Sequence, residues 1–272
     1  MIIDVHYHLM PAVNKPVVEG MSKFIYTAAK SMGKQISMEE IQKKAFETWP
    51  DPTGDRLIAD MDRAGIDATV ICMVDNSDNK ALTRERIQMA NKIIGDAAQR
   101  HPGRLIGLAG VDPRRAEAAD MMKQCFEEFG VRGLKYHPDH GYDPAGPESY
   151  KVLEVVVKNK GILLTHTGPL MPPARCKFSE PIMLADLAVD FPELNVIAAH
   201  MGSANWRPWA NLAAHQPTLY GDLAMWDIMA LKNYPFFCRE LRDVIDCAGV
   251  TKVLFGTDGP IFSMIEPVEN VI

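Results

Sequence analysis

Short apolar runs rich in β-branched residues recur along the chain, and a stretch with helical apolar periodicity follows most of them. Short runs bounded by turn residues are typical of buried parallel strands, and the amphipathic stretches are typical of helices that cover them. The pattern predicts strands over residues 1–8, 66–74, 105–111, 131–136, 162–166, 194–200, 219–223 and 252–255.

Helical stretches separate these strands. One starts near Asp51 and ends at Gly65, and others are predicted at about 82–100, 114–129, 147–159, 179–190, 203–214 and 235–248. Repeated strand–helix units over about 250 residues fit a closed (β/α)₈ barrel better than an open doubly wound sheet. No glycine-rich dinucleotide fingerprint follows the first strand, which also disfavours the open sheet. We predict one TIM-barrel domain over residues 1–272. Only residues 268–272 follow Pro267, so the eighth helix is expected to be either short or incomplete in this sequence.

The stretch from residue 10 to residue 50 interrupts this repeat and is polar and helix-prone. Ser37-Met38-Glu39-Glu40 has the spacing of a capping box, and Ile41 and Ala45 follow on one helical face. We predict a helical insertion after the first strand that forms either a lid over the barrel mouth or the interface of a homodimer. Its apolar cover would be Tyr26, Phe46 and Trp49.

Composition narrows the class of protein. The chain has 272 residues, 47% hydrophobic and 24% charged, with a net charge of −6, and these values are ordinary for a globular protein. An acidic chain without a basic run predicts no nucleic-acid or membrane partner and leaves a small molecule as the expected ligand. Five cysteines without a Cys-x-x-Cys pair, no signal-peptide pattern and no apolar stretch near 20 residues predict a reduced, cytoplasmic protein.

The first strand ends in two histidines, His6 and His8, two residues apart. Alternate residues of a strand point to the same face, with Cα atoms roughly 6.5–7 Å apart, so both imidazoles could bind one ion at about 2.1 Å. His-x-His is a weak pattern by itself. It also fits a half-buried strand whose polar face carries two histidines.

Further polar residues end later strands. His166 ends the fifth, His200 ends the sixth, and Asp258 follows the eighth. The carboxyl ends of barrel strands converge on one face, where such enzymes keep their active sites. Imidazole with a carboxylate suits zinc, with manganese or iron as alternatives. The sequence therefore predicts a metal site at the mouth, although each histidine alone also fits a hydrogen-bonded core or loop residue.

Five motifs occur in order: Asp4-Val5-His6-Tyr7-His8, Gly133-Leu134-Lys135-Tyr136-His137-Pro138, Thr165-His166-Thr167-Gly168, Ala199-His200-Met201-Gly202 and Gly256-Thr257-Asp258. As a set they span nearly the whole chain and resemble the amidohydrolase superfamily, in the branch related to aminocarboxymuconate semialdehyde decarboxylase. The resemblance implies that one divalent ion, usually zinc, is held by His6, His8, His166 and Asp258. It also implies that His200 does not bind the ion but holds its water.

This assignment is chemically consistent. Coordination lowers the pKa of a bound water from 15.7 to roughly 7. Asp258 could then accept the water's proton and return it to the leaving group, first as general base and then as general acid. His200 could orient the nucleophile or polarise the oxygen of the electrophile. We therefore predict Asp258 and His200 as catalytic residues.

Lys135 and His137 end the fourth strand two residues apart, so Lys135 is expected to point into the barrel. Some superfamily members carboxylate a lysine on this strand and bridge two metals with it, whereas the branch resembled here generally works with one ion. A second ion on carboxylated Lys135 therefore stays an alternative. Otherwise Lys135 is a buried cation that needs a nearby carboxylate or substrate anion. His137 is predicted to contact substrate or to support a ligand.

Loops beyond the strands are expected to recognise substrate. Arg175 follows His166, and Trp206 and Arg207 follow His200. An arginine beside aromatic rings suits a carboxylate on a planar or unsaturated body, although an ordinary surface loop has the same composition. Asp222, which ends the seventh strand, is a candidate partner behind the ligands.

We expect a metal-dependent hydrolase that attacks a lactone, amide or related carbonyl of a small carboxylated or cyclic substrate. The alternative is a non-oxidative decarboxylase of an aromatic or muconate-type acid, because the same ligands serve both reactions. A TatD-like nuclease would need a carboxylate from a middle strand, and residues 135–137 offer none. A binding barrel without catalysis conflicts with the intact ligand set.

Overall fold

Eight parallel strands form one sheet in sequence order in the computed structural model, which describes residues 1–13 and 15–260. The strands are β1 Ile3–His8, β2 Ala68–Cys72, β3 Leu105–Gly110, β4 Gly133–Tyr136, β5 Ile162–His166, β6 Asn195–Ala199, β7 Leu219–Asp222 and β8 Val253–Leu254. The Val5 N–H donates to Phe255 O at 2.9 Å and the His8 N–H to Gly259 O at 2.8 Å. These bonds join the segment at β8 to β1, and the predicted (β/α)₈ barrel is confirmed.

The helices surround the sheet. They are α1 Lys15–Ser31, α2 Met38–Thr48, α3 Asp55–Ala64, α4 Arg84–Arg100, α5 Ala118–Gln124, α6 Pro147–Lys158, α7 Ala185–Asp190, α8 Trp206–His215, α9 Trp226–Lys232 and α10 Tyr234–Ala248. Gly65 ends α3 as predicted, at φ 70° with its N–H donating to Met61 O. The same helix starts later than predicted, at Asp55, because Gly54 is left-handed at φ 75°.

Two other features differ from the prediction, and a third prediction is not tested. The helix expected near residue 179 begins as two 3₁₀ turns, Cys176–Ser179 and Pro181–Leu184, before α7. Helix α9 has no predicted counterpart. The expected eighth helix lies outside the described residues.

The insertion contains two helices, α1 and α2. The capping box is present, because the Glu40 N–H donates to Ser37 Oγ at 3.1 Å and the Ser37 N–H to Glu40 Oε2 at 2.8 Å. The two helices share an apolar cluster with Met225 and Ile228 from the segment after β7, so the insertion packs at the carboxyl end of the barrel. Its buried members are Val18, Ile25, Ile41, Ala45 and Trp49, with Tyr26 partly buried. Phe46, predicted as cover, is instead 46% exposed.

The barrel interior is filled by one apolar cluster. It includes Val5, Val70, Leu108, Leu164 and Ile197. Neighbouring positions on the strands, such as Leu134, Leu163 and Val196, belong to the cluster that packs against the helices. Burying each side chain of this kind contributes roughly 1.5–3 kcal/mol. Because apolar residues fill the interior, the polar residues at the strand ends collect at the mouth.

Candidate active site

A bulge in β1 aims the two amino-terminal histidines. Pairing of β1 with β2 shifts register between Asp4 and Tyr7. Val5 packs in the barrel interior and Tyr7 against the outer cluster, while the Nε2 atoms of His6 and His8 meet at 3.1 Å. The predicted shared face is confirmed. Bulges of this kind re-aim side chains beside active sites.

Asp4 ties this bulge to the segment after β8. Its carboxylate accepts hydrogen bonds from the His6 N–H at 3.0 Å, the Thr257 N–H at 3.1 Å and the Thr257 hydroxyl at 2.6 Å. Asp4 is 1% exposed, and burial raises its pKa to about 7 although these hydrogen bonds lower it. Asp4 therefore fixes the relative position of His6 and the residue after Thr257. Sequence reasoning missed this role, for which the signal was an aspartate two residues before His6.

Three predicted ligands bring their donor atoms together. Asp258 Oδ1 lies 3.2 Å from His6 Nε2 and 3.1 Å from His8 Nε2. Asp258 holds a left-handed backbone at φ 55°, an uncommon conformation for a residue with a side chain. Its N–H donates to His6 O at 2.8 Å, which anchors that conformation to β1. Two imidazole nitrogens and one carboxylate oxygen therefore converge at the mouth.

This spacing fits a divalent ion. Donors bound to one ion at about 2.1 Å lie roughly 3.0–3.4 Å from one another, close to the separations within this triad. Two ring nitrogens and a carboxylate oxygen are also the donor types that zinc and manganese accept. The wider cluster contains two further groups with ligand atoms within 4.8 Å of one another, His6/His8/Cys72 and His6/His200/Asp222.

Asp222 orients the His6 ring. Its Oδ2 lies 3.0 Å from His6 Nδ1. Because a carboxylate only accepts, His6 Nδ1 carries the hydrogen and Nε2 presents its lone pair to the donor triad. Asp222 Oδ1 accepts from the His200 N–H at 2.8 Å and so connects the end of β7 to the end of β6. The structure thus places Asp222 behind His6, as expected.

Lys135 faces the same lone pair. Its Nζ lies 2.8 Å from His6 Nε2, and the side chain is 2% exposed. The prediction that Lys135 points into the barrel is confirmed. Burial and the Lys135 charge lower the pKa of His6 well below its ordinary value, which keeps that ring neutral.

Cys72 lies behind His8 and was missed from the sequence. The two residues pair in register across β1 and β2, and Cys72 Sγ lies 3.6 Å from His8 Nδ1. Burial opposes charge on His8, but Cys72 and Asp258 outweigh it and raise the pKa of His8 to about 9. A thiol occupies the place where a carboxylate or carbonyl usually supports a ligand histidine.

His166 and His200 line the other side of the cluster. The His200 ring lies 5.2 Å from His6 and 5.0 Å from His166, measured between centroids. His200 Nδ1 contacts Ala224 O at 3.0 Å, which makes Nδ1 the donor and leaves Nε2 as the acceptor. His166 Nε2 contacts Gly168 O at 3.2 Å instead of the donor triad. The structure brings His166 to the mouth, and its role as fourth ligand stays a prediction.

Two predicted substrate residues lie elsewhere. Trp206 Nε1 donates to Glu240 Oε2 at 2.8 Å, and the Arg207 guanidinium lies over the Trp206 ring and 3.7 Å from Asp243 Oδ2. Both face α10, because α8 begins at Trp206 and directs its first turn into the helix layer. The expectation that they bind substrate is therefore not supported by their position.

Of the other three predicted substrate residues, Lys135 lies against His6 and His137 lies beside the other histidines. The His137 ring stacks on His166 at 5.0 Å. Arg175 is exposed, and its N–H donates to Asp139 O at 2.6 Å. Among the predicted substrate residues, the structure thus gathers Lys135 and His137 beside the donor triad, whereas Arg175 lies on the loop after β5 with its backbone bonded to Asp139.

A family model described as amidohydrolase matches residues 3–270. The chain belongs to the amidohydrolase family. This confirms the resemblance drawn from the five motifs. No curated protein matches the chain in sequence.

Solved structures with similar folds share little sequence with this amidohydrolase. 5-Carboxyvanillate decarboxylase from Novosphingobium aromaticivorans, complexed with manganese, is 17% identical with a TM-score of 0.66, over 98% of this chain and 89% of that one. 2,6-Dihydroxybenzoate decarboxylase from Rhizobium is 17% identical with a TM-score of 0.65, over 100% and 92%. A probable 2-pyrone-4,6-dicarboxylic acid hydrolase from Acinetobacter baumannii is 15% identical with a TM-score of 0.58, over 100% and 87%. At these identities the likeness concerns the fold.

None of the helices within the described part of the amidohydrolase has the length and apolar character needed to span a membrane.

Proposed function

We propose that this amidohydrolase is a divalent-metal-dependent enzyme acting on a small carboxylated substrate. The observation that carries the proposal is the convergence of His6 Nε2, His8 Nε2 and Asp258 Oδ1 within 3.1–3.2 Å at the barrel mouth. These residues would hold the ion, with His166 as the fourth ligand. Zinc fits the donors, and manganese is the alternative because the Novosphingobium decarboxylase was solved with manganese.

The ion would supply Lewis acidity and a water of lowered pKa. Asp258, whose carboxylate touches both histidines, is placed to accept a proton and later return it. The pKa of Asp258 is lowered, since contacts with His8 outweigh the effect of burial, and the carboxylate is therefore ionised. His200 Nε2 is placed to orient a water or, when protonated, to donate to an oxygen of the substrate.

Lys135 supplies the cation for a substrate carboxylate. It is buried beside the donor triad, where water cannot neutralise its charge and an anionic group can. Lys135 therefore favours a substrate that carries a carboxylate close to the reacting carbon. Arg175 is an exposed second cation on the loop after β5.

Hydrolysis of a lactone, amide or related carbonyl is the first candidate reaction, because the donor set and Asp258 are those needed to activate water. Non-oxidative decarboxylation is the second, and the position of Lys135 favours it. A carboxylate held there lies at the reacting centre. The carbon from which carbon dioxide departs could be protonated by the Lys135 ammonium, or by Asp258 after its carboxylate has accepted a proton from a water. Of the three structural neighbours named above, two are decarboxylases and one is a probable hydrolase.

Metal content and product analysis test the proposal. Protein purified without chelator should contain close to one divalent ion per chain, and chelation should abolish turnover. A panel of lactones, acyl amides and aromatic or muconate-type acids is assayed for acid release and for carbon dioxide release. Asp258→Asn should abolish turnover of whichever substrate is found. The matched control is Asp96→Asn, because Asp96 is an exposed carboxylate on α4 that pairs with Lys92. This variant should keep activity.

Near-zero metal in the wild-type protein would contradict the metal site. Unchanged turnover in Asp258→Asn would remove that residue from the chemistry. Release of carbon dioxide without net hydrolysis would assign the second reaction.

A further inference from the structure

The His137 ring is held rigidly beside the donor triad. The ring stacks on that of His166, with 5.0 Å between the ring centroids and 11° between the ring planes. It also stacks on the ring of His140, with 5.3 Å between centroids and 22° between planes. The His137 N–H also donates to the Tyr142 hydroxyl oxygen at 2.6 Å. The ring lies 6.1 Å from that of His8. His137 is thus fixed in place within the same cluster of side chains that forms the candidate active site.

Asp139 determines which nitrogen of this ring is free. Its Oδ1 lies 3.0 Å from His137 Nδ1, and Asp139 is 2% exposed. The carboxylate accepts, so Nδ1 carries the hydrogen, and in the neutral ring Nε2 is an acceptor. Within the described part of the chain, His137 Nε2 is buried and has no hydrogen-bond partner. A buried polar atom without a partner costs free energy, and at an active site it indicates a missing ligand group.

A hydrogen-bond donor suits this atom better than a metal ion does. His137, Asp139 and His140 have ligand atoms within 4.8 Å of one another. However, the two rings are nearly parallel and stacked, which does not direct their nitrogen lone pairs edge-on toward one point. His137 Nδ1 is already bonded to Asp139, and His140 Nδ1 contacts Asp75 O at 3.1 Å. An oriented lone pair backed by a buried carboxylate is instead an acceptor for a hydroxyl group.

Building on the proposed function, we infer that the His137–Asp139 pair accepts a hydrogen bond from a substrate hydroxyl group next to the carboxylate. Lys135 lies two residues earlier, in β4, and contacts His6, while the His137 ring lies 6.1 Å from that of His8. The end of β4 therefore places a cation and an acceptor against the same cluster of side chains. A hydroxy acid whose hydroxyl and carboxylate are adjacent matches that pair. The inference extends the proposed carboxylated substrate to this class.

The test compares two probes that differ by one hydroxyl group, 2-hydroxybenzoate and benzoate. Their binding to the metal-loaded protein is measured by calorimetry. The wild-type protein should bind 2-hydroxybenzoate at least tenfold more tightly than benzoate. His137→Phe keeps a flat ring for the stack but removes the acceptor, so the ratio of the two affinities should fall to within twofold. His215→Phe, an exposed histidine at the end of α8, is the matched control and should keep the full preference.

Asp139→Asn provides a second variant that keeps the ring. The asparagine amide can donate to Nδ1, which makes Nε2 the protonated nitrogen and turns it into a donor. The preference should therefore also be lost in this variant, and metal content and circular dichroism should match wild type.

Four results would overturn the inference. The first two concern the wild-type protein: it binds an ion but shows no preference for 2-hydroxybenzoate over benzoate, or it binds an ion and neither probe. The third is a preference that survives both His137→Phe and Asp139→Asn. The fourth is a second metal equivalent that disappears in His137→Phe. Failure of the proposed function has a different signature, because the wild-type protein would then bind no ion. If such a protein still prefers 2-hydroxybenzoate over benzoate, and His137→Phe loses that preference, the result would still support His137 Nε2 as the acceptor.

Discussion

Replacing Lys135 with methionine should tighten metal binding. Lys135 Nζ lies 2.8 Å from His6 Nε2, and that lone pair cannot serve the lysine and an ion at the same time. Metal binding must therefore displace the Lys135 amine. Lys135→Met keeps most of the apolar stem and removes the competitor.

The structure sets the size of the effect. The contact between Lys135 and His6 is a buried hydrogen bond from a charged donor, and such bonds contribute roughly 1.5–3 kcal/mol. At about 1.4 kcal/mol per tenfold change in affinity, losing it weakens ion binding by about 10- to 100-fold. Repulsion adds to the cost, since two unit charges about 4 Å apart interact by roughly 4 kcal/mol at an effective dielectric constant of about 20. Movement of the flexible Lys135 side chain away from the ion reduces this repulsion, so we expect Lys135→Met to gain about 10- to 100-fold in zinc affinity, the part that comes from the lost hydrogen bond.

The assay is competition with a coloured zinc chelator at fixed pH, using metal-free wild type and Lys135→Met. Lys92→Met is the control, because Lys92 is exposed on α4 and pairs with Asp96 at 2.6 Å. Its affinity for zinc should equal that of wild type. Carboxylate probes should bind metal-loaded Lys135→Met more weakly than metal-loaded wild type, which separates the two roles of the lysine.

Weaker zinc binding in Lys135→Met would refute this reasoning. Together with two ions per wild-type chain, and a mass increase of one carbon dioxide that acid removes, it would show that Lys135 is carboxylated and bridges a second ion. Equal affinity in the two proteins would show that the contact with His6 does not oppose the ion.

Two further predictions concern residues that support the site. Thr257→Val removes the hydroxyl that donates to Asp4 at 2.6 Å, and we expect about tenfold weaker zinc binding and a loss of about 1 kcal/mol in unfolding free energy, measured by chelator competition and urea titration. Asp112→Asn should cost about 2–4 kcal/mol of unfolding free energy at neutral pH, because Asp112 is buried and bonded to Arg114. Burial raises the pKa of Asp112, but Arg114 and backbone donors outweigh it and lower that pKa below its ordinary value. The wild-type advantage should therefore be complete above about pH 4 and shrink as pH falls through the pKa of the folded protein. Urea titrations of both proteins from pH 7 to pH 3 measure the difference in unfolding free energy. A difference that stays constant over this range would contradict its assignment to the ionised Asp112.

The order of strands and helices followed from the chain itself. Apolar runs and helical periodicity predicted all eight strands, and the Ser37 capping box and Gly65 marked helix ends that the structure confirms. Convergence at the mouth was also predictable, because the carboxyl ends of parallel barrel strands share one face. Helix α9 escaped prediction because it is a single short helix, Trp226–Lys232, without a distinct apolar period.

The supporting contacts were decided by the tertiary structure. Asp4 and Thr257 are 253 positions apart, Cys72 and His8 are 64 apart, and His6 and Asp222 are 216 apart. The alternation of residues along a strand predicts which face of the sheet a side chain lies on. It does not predict where a strand bulges, which thiol lies beside a histidine or which group bonds a ring nitrogen.

The loop after β6 shows the same limit. Its aromatic and basic residues suggested a carboxylate site, whereas Trp206 and Arg207 bind Glu240 and Asp243 of α10. The sequence by itself determined the barrel and the edge at which its polar residues gather, since local periodicity and parallel pairing are written in neighbouring residues. Only the closed barrel decided which nitrogen, thiol or carboxylate meets which, because those partners come from distant strands and are selected by packing.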